Sequence, residues 1–218
     1  MRPLSLLIGW ATPEAAICYE YALLRPADKQ RAQCARGIKA ELDWRVSRAL
    51  IASLPTEHRV LSLSHSRGHA LCVSADREIV LGVDIEHMAS RDVLRLGRWI
   101  CSDDEFRALE GLAAVPDRQA EYFYLLWTVK EAFIKALDLD FPAGMHLAGF
   151  AGAPDKGLRL RHPKGSWWAC AWKLLPDKMA AIVWQGAAHE KHDLVWHVGP
   201  GANLPPRSCM GVWHSATA

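Results

Sequence analysis

Apolar and polar positions along this chain fall into strands, then a helix, then strands, helices and strands again. The apolar runs at residues 4–10 and 17–24 read as strands on either side of a Thr12-Pro13 turn. From Asp28, an N-cap residue type, Cys34, Ile38, Leu42, Val46 and Ala49 recur near the helical period, and Pro55 closes a helix predicted over 28–54. Three β segments follow at 60–64, 70–75 and 79–86, with turns at His65-Ser66-Arg67-Gly68 and Asp76-Arg77-Glu78, which is the pattern of an antiparallel meander. Ser102-Asp103-Asp104-Glu105 has the form of a capping box, so a helix is expected from Asp103. Pro116-Asp117 precedes a longer helix over 118–139, stopped by Pro142 and Gly144. Strands return at 158–161, 167–175 and 179–184, the last two joined by Pro176-Asp177-Lys178. Beyond Gly199 the Pro and Gly content and the missing period predict a loosely ordered tail. This order is that of a mixed α/β or α+β chain, with an N-terminal half over 1–90 and a C-terminal half over 91–218.

Composition narrows the classes. Half of the 218 residues are apolar, enough for a sizeable core. A net charge of +2 creates no global field for nucleic acid, so an anion site has to come from local clustering. No window approaches the ~18 apolar residues of a membrane span. The run at 4–10 contains Ser5 and Gly9 and lacks a small-residue cleavage site, so it reads as a buried strand rather than a signal segment. Six cysteines without a C-x-x-C or a zinc-type Cys/His spacing fit a reducing cytoplasm.

Three stretches carry candidate chemistry. In Gly82-Val83-Asp84-Ile85-Glu86, alternation puts Gly82, Asp84 and Glu86 on one strand face and Val83 and Ile85 on the other. Two carboxylates on one face repel, a conflict that a divalent cation removes, while Gly82 is expected to leave room for a ligand. Solvated acids at a strand end are the plain alternative. On the long helix, Leu126, Val129, Phe133 and Leu137 form the core stripe. Trp127, Glu131, Lys135 and Asp138 lie beside it, with Glu131 and Lys135 one turn apart, an arrangement also common in ordinary surface pairs. Ser64-His65-Ser66 leaves a strand at a turn without the G-x-S-x-G context of a hydrolase nucleophile. From Arg25 to Arg48 the chain also carries Lys29, Arg31, Arg36, Lys39 and Arg45, against only Asp28, Glu41 and Asp43. Charge alone makes that segment a solvated basic face.

Taken together, Ser64-His65-Ser66, Gly82-x-Asp84-x-Glu86 and Trp127-x-x-Lys130-Glu131-Ala132-x-x-Lys135, with 47 positions between the strand and helix acids, resemble the 4′-phosphopantetheinyl transferases. The likeness covers about residues 28–140 and is strongest to the larger single-chain class. It implies two similar α/β halves packed as a pseudo-dimer, and a cytoplasmic monomer of the holo-[acyl-carrier-protein] synthase type. The implied reaction moves 4′-phosphopantetheine from coenzyme A to a serine of an apo acyl or peptidyl carrier protein and releases adenosine 3′,5′-bisphosphate. The resemblance further implies Mg²⁺ on Asp84, Glu86 and Glu131. Glu131 and Lys135 are then the catalytic residues, and Ser64, His65, Arg45, Arg48 and Lys130 bind coenzyme A. The chain departs from the family in two places. Only 15 residues separate Arg48 from Ser64, without the Gly-Lys-Pro common there, and Ile100-Cys101-Ser102-x-x-Glu105 replaces a more aromatic segment. A coenzyme A-binding module without turnover and a metal-dependent phosphohydrolase are the competing functions.

Overall fold

In the computed structural model, which describes residues 3–216 apart from 36, 39, 40, 56, 57, 163, 175 and 176, the chain opens with β1 (Leu4–Ala11). Two 3₁₀ turns follow, at Pro13–Cys18 and Tyr21–Leu23. Then come α1 (Pro26–Cys34), α2 (Leu42–Ser53), β2 (Val60–Ser66), β3 (His69–Ala75) and β4 (Leu81–His87). The middle is helical, with α3 (Val93–Ile100), α4 (Asp103–Gly111) and α5 (Pro116–Leu137). The remainder is β5 (Gly149–Ala151), β6 (Arg159–Arg161), β7 (Ser166–Leu174), β8 (Lys178–Gln185), β9 (His192–Val198) and β10 (Arg207–Ala216). The fold is α+β. Among the described residues no helix is long and apolar enough to cross a membrane.

The chain forms two compact units, one of Met1–Glu78 with Lys191–Pro205, the other of Ile79–Glu190 with Pro206–Ala218. The first holds a sheet in the order β2-β3-β1-β9, in which β1 runs parallel to β9 and antiparallel to β3. Leu4, Leu6, Ile8 and Trp10 alternate along β1 and are fully buried, each such side chain contributing about 1.5–3 kcal/mol. On the opposite face α2 packs Val46, Ala49 and Leu50 against Ala70 and Cys72 of β3. Gly9 permits this approach, because a Cβ there would stand 2.6 Å from the Cys72 sulfur and 3.3 Å from Leu50.

The second unit holds an antiparallel sheet in the order β10-β7-β8-β4, a β5–β6 hairpin and the three later helices. The stripe expected on α5 is observed, with Leu126, Val129 and Phe133 fully buried in a core shared with Ala169, Ala171, Ala181 and Val183. The capping box is also observed. Ser102 accepts from Glu105 N, and Glu105 accepts from Ser102 N at 2.8 Å.

Several expectations are corrected. Residues 17–24 are not a strand. Pro13 starts a 3₁₀ turn, and Ile17 is left 86% exposed. The helix expected over 28–54 is two helices, with Gly37 at φ +81° between them. The meander stops at β3, since β4 pairs instead with β8 across the second unit's sheet. For that reason the units divide at 78/79 rather than near 90, and the Asp84 strand belongs with the long helix. Helix α3 was not foreseen; its N-cap is Asp92, which accepts from Arg95 N at 2.9 Å. Beyond Gly199 the chain is irregular only to Pro206, after which β10 pairs with β7, and β9, just before Gly199, completes the first sheet and was equally unforeseen. Leu175 and Pro176 of the expected strand and turn lie outside the described residues, as do Arg36 and Lys39 of the basic segment.

Candidate active site

The arrangement of acids and lysines in the second unit follows from how closely β4 and α5 approach. A Cβ on Gly82 would fall 1.9 Å from the Ala132 carbonyl oxygen and 2.8 Å from Ala136 N. Glycine therefore serves helix–strand contact here, and the space expected for a ligand beside it is filled by α5 backbone. With the helix this close, Lys135 Nζ donates to Asp84 Oδ1 at 2.7 Å. Asp84 is buried, whereas the Lys135 side chain keeps 31% of its surface.

Glu131 lies one turn before Lys135. Burial raises its pKa from the ordinary carboxylate value, the Asp84 charge adds to the rise, and Lys135 opposes it. Asp84 and Glu131 are thus near enough for their charges to interact, the condition under which a divalent cation is stabilised. Their oxygen donors and like charge fit Mg²⁺. Glu86 shares the Asp84 face of β4 and lies further along the strand, paired in register with Met179. Among the described residues no group of three or more His, Cys, Asp or Glu side chains is placed to hold a metal ion. The expected trio of Asp84, Glu86 and Glu131 is therefore not gathered as one metal-holding group, and Asp84 is paired with Lys135 instead. Trp127 packs its ring against Phe123 at 5.9 Å and Phe141 at 6.1 Å.

Lys130 requires a correction. Its side chain has no solvent exposure; it pairs with Glu105 Oε2 at 2.9 Å and donates to the Met145 and Ala148 carbonyls. A lysine so enclosed cannot reach coenzyme A. The sequence held the signal for this, because Lys130 falls one turn after Leu126 and beside Val129, inside the apolar stripe, where a cation needs a buried acid. The matching role of Glu105 was missed because its capping function explained it already.

In the first unit, Ser64 is buried on β2, and His65 Nδ1 stands 3.5 Å from Asp43 Oδ2 at the start of α2. The other oxygen of Asp43 accepts from Gly68 N, fastening the turn that follows Ser64-His65-Ser66. Arg45 is half-buried and donates to the Ala16 carbonyl at 3.0 Å. Arg48 differs from expectation. It is 8% exposed, its Nε lies 2.9 Å from Asp28 Oδ1 and its guanidinium stacks 4.2 Å over Trp44, so it is occupied in holding α1 and α2 together. Burial lowers its pKa, opposed by Asp28.

The family model described as the 4′-phosphopantetheinyl transferase superfamily matches residues 80–188, half of the chain, from the start of β4 through β8. The chain belongs to the 4′-phosphopantetheinyl transferase superfamily. Among curated relatives, a 4′-phosphopantetheinyl transferase of Bacillus subtilis is 36% identical over 85 residues, 39% of this chain and 35% of the relative. The 4′-phosphopantetheinyl transferase Sfp of Bacillus subtilis strain 168 is likewise 36% identical over 85 residues, again 39% and 35%. A putative 4′-phosphopantetheinyl transferase of Synechocystis is 30% identical over 104 residues, 44% of this chain and 41% of the relative. The chain thus covers roughly a third to two fifths of these relatives' lengths. The superfamily match contains Asp84, Glu86, Glu131 and Lys135; Ser64 and His65 lie before it.

Proposed function

We propose that this chain transfers 4′-phosphopantetheine from coenzyme A to a serine of an apo acyl or peptidyl carrier protein and releases adenosine 3′,5′-bisphosphate. The observation that carries this reading is the juxtaposition, inside the superfamily match, of Asp84, Glu131 and Lys135 on one strand and one helix. Asp84 and Glu131 would hold Mg²⁺, with Glu86 supplying a further oxygen from the same strand face. When bound, the metal supplies positive charge to a diphosphate.

The reaction forms a bond from the carrier serine oxygen to the phosphorus next to pantetheine and breaks the P–O bond to the adenosine bisphosphate. Glu131 takes the serine proton, directly or through a water. Lys135 places an ammonium beside Asp84 with part of its surface open, and stabilises the charge that develops on the leaving phosphate. In the first unit, Ser64 and His65 contact coenzyme A, His65 toward the 3′-phosphate, and Arg45 is the remaining phosphate candidate on α2. The names of the relatives specify the transferred group and not a carrier, so the reaction is defined here by that group rather than by the holo-[acyl-carrier-protein] synthase type. Six free thiols suit the reducing cytoplasm in which the reaction would run.

The test is intact mass spectrometry of several apo-carriers incubated with the protein, coenzyme A and Mg²⁺. A gain of one phosphopantetheine, at the carrier serine, is expected. Folded protein that modifies none of a broad carrier panel would replace the transferase with the coenzyme A-binding module.

A further inference from the structure

Lys130 and Glu105 form a charge pair with no solvent exposure on either side chain. Lys130 Nζ meets Glu105 Oε2 at 2.9 Å, Met145 O at 2.8 Å and Ala148 O at 2.7 Å, so each of its three protons has an acceptor. Glu105 accepts from Ser102 N at 2.8 Å, from Phe150 N at 2.8 Å and from Arg161 Nη2 at 3.2 Å. Gly149, at φ +138°, closes the site: a Cβ there would lie 1.9 Å from Glu105 Oε1 and 2.8 Å from Lys130 Nζ. The start of α4, the middle of α5, the segment 145–150 and β6 therefore meet at one sealed pair.

Apolar side chains of similar volume would hold these segments together at least as well, since two buried charges carry a large desolvation cost. Apolar contacts, however, tolerate small rotations and slides of a helix. An ammonium bound to two carbonyls and a carboxylate tolerates much less. Lys130 immediately precedes Glu131 and lies on the same helix as Lys135, both of which depend on the orientation of α5 toward Asp84. We propose that Lys130 and Glu105 are positioning residues that set the rotation of α5 about its axis and so hold Glu131 and Lys135 against Asp84. The effect on rate rests on the transferase reading; the effect on geometry does not.

The experiment compares wild-type protein with Glu105→Gln/Lys130→Met, which removes both charges while keeping a side chain able to accept from Ser102 N. It also uses Lys130→Arg, which keeps the charge but changes the donor geometry. Three readouts are taken: a crystal structure of each, Mg²⁺ affinity by calorimetry, and kcat and KM for transfer. Both variants are expected to fold with the Lys135–Asp84 contact lengthened out of hydrogen-bonding range and Mg²⁺ bound more weakly. Displacement of catalytic groups by about 1 Å should lower kcat on the order of a hundredfold with the coenzyme A KM little changed. Retention of the 2.7 Å Lys135–Asp84 contact in a folded double variant, or in folded Lys130→Arg, with wild-type Mg²⁺ affinity, overturns the proposal. If the wild-type protein transfers nothing, the contact and the calorimetry still decide it.

Discussion

Two lysines five positions apart on α5 each make an ion pair with an acid, and the two pairs have little else in common. Lys130–Glu105 measures 2.9 Å and is wholly sealed; Lys135–Asp84 measures 2.7 Å and leaves the lysine 31% exposed. The first pair has every proton matched within the protein, so it can position but cannot exchange partners with a ligand. The second keeps one side toward solvent, where a phosphate or a cation can compete for either member. Charge and spacing are alike in both; accessibility separates a pair that is sealed from one that a ligand can reach.

The comparison breaks if the two lysines respond alike to removal. Lys130→Met alone leaves Glu105 buried with only Arg161 as a charged partner and should cost about 3–5 kcal/mol in a denaturant melt. Gly82→Ala comes next: its Cβ meets α5 backbone, so a loss of about 1–3 kcal/mol is expected together with loss of transfer. Gly111→Ala, where nothing lies within 4 Å of the added carbon, should be neutral or slightly stabilising and serves as the control. Lys135→Met should cost roughly 1–2 kcal/mol, because water reaches that pair, yet reduce transfer to background in the carrier mass assay. Asp84→Asn should likewise abolish transfer with the metal-free Tm little changed, because the lost ion pair is offset by relief of repulsion with Glu131. Equal stability losses at Lys130 and Lys135 would erase the distinction.

The smallest expected effect lies in the first unit. Burial, and then the charge of His58, lower the pKa of His197, whose Nε2 lies 3.1 Å from Ser53 Oγ. The folded state therefore prefers the neutral ring, while the unfolded chain protonates near the ordinary histidine value. Stability is highest above that value and falls as pH drops from it toward the depressed folded value. Tm should decline between about pH 8 and pH 5 more in the wild-type protein than in His197→Gln. Parallel declines would remove His197 as the cause.

How much was legible in the sequence depends on how local the information is. Helix α5 and the capping box at Ser102 were readable because their signals recur within a few residues. The partner of β4 was not, since register with β8 is decided between segments nearly a hundred residues apart. Asp84, Glu131 and Lys135 were recognised as chemical types, and the structure brings them together. Gly82 was assigned to a ligand when it serves the helix, because a glycine announces close approach without naming what approaches. Lys130 was read from its neighbours in a motif rather than from its place in the apolar stripe, and Arg48 from its charge rather than from the acid and the indole that hold it.

The parallel pairing of β1 with β9 has a consequence for the order of assembly. A ribosome would deliver β1, β2 and β3 early, but the fourth strand of their sheet follows only after residues 79–190 have been made. Until then β1 presents an open edge, with unpaired amides and carbonyls that another chain can capture. The sheet begun first is finished late, so the N-terminal stretch depends for its protection on synthesis of the polypeptide that carries the acids and lysines of the second unit.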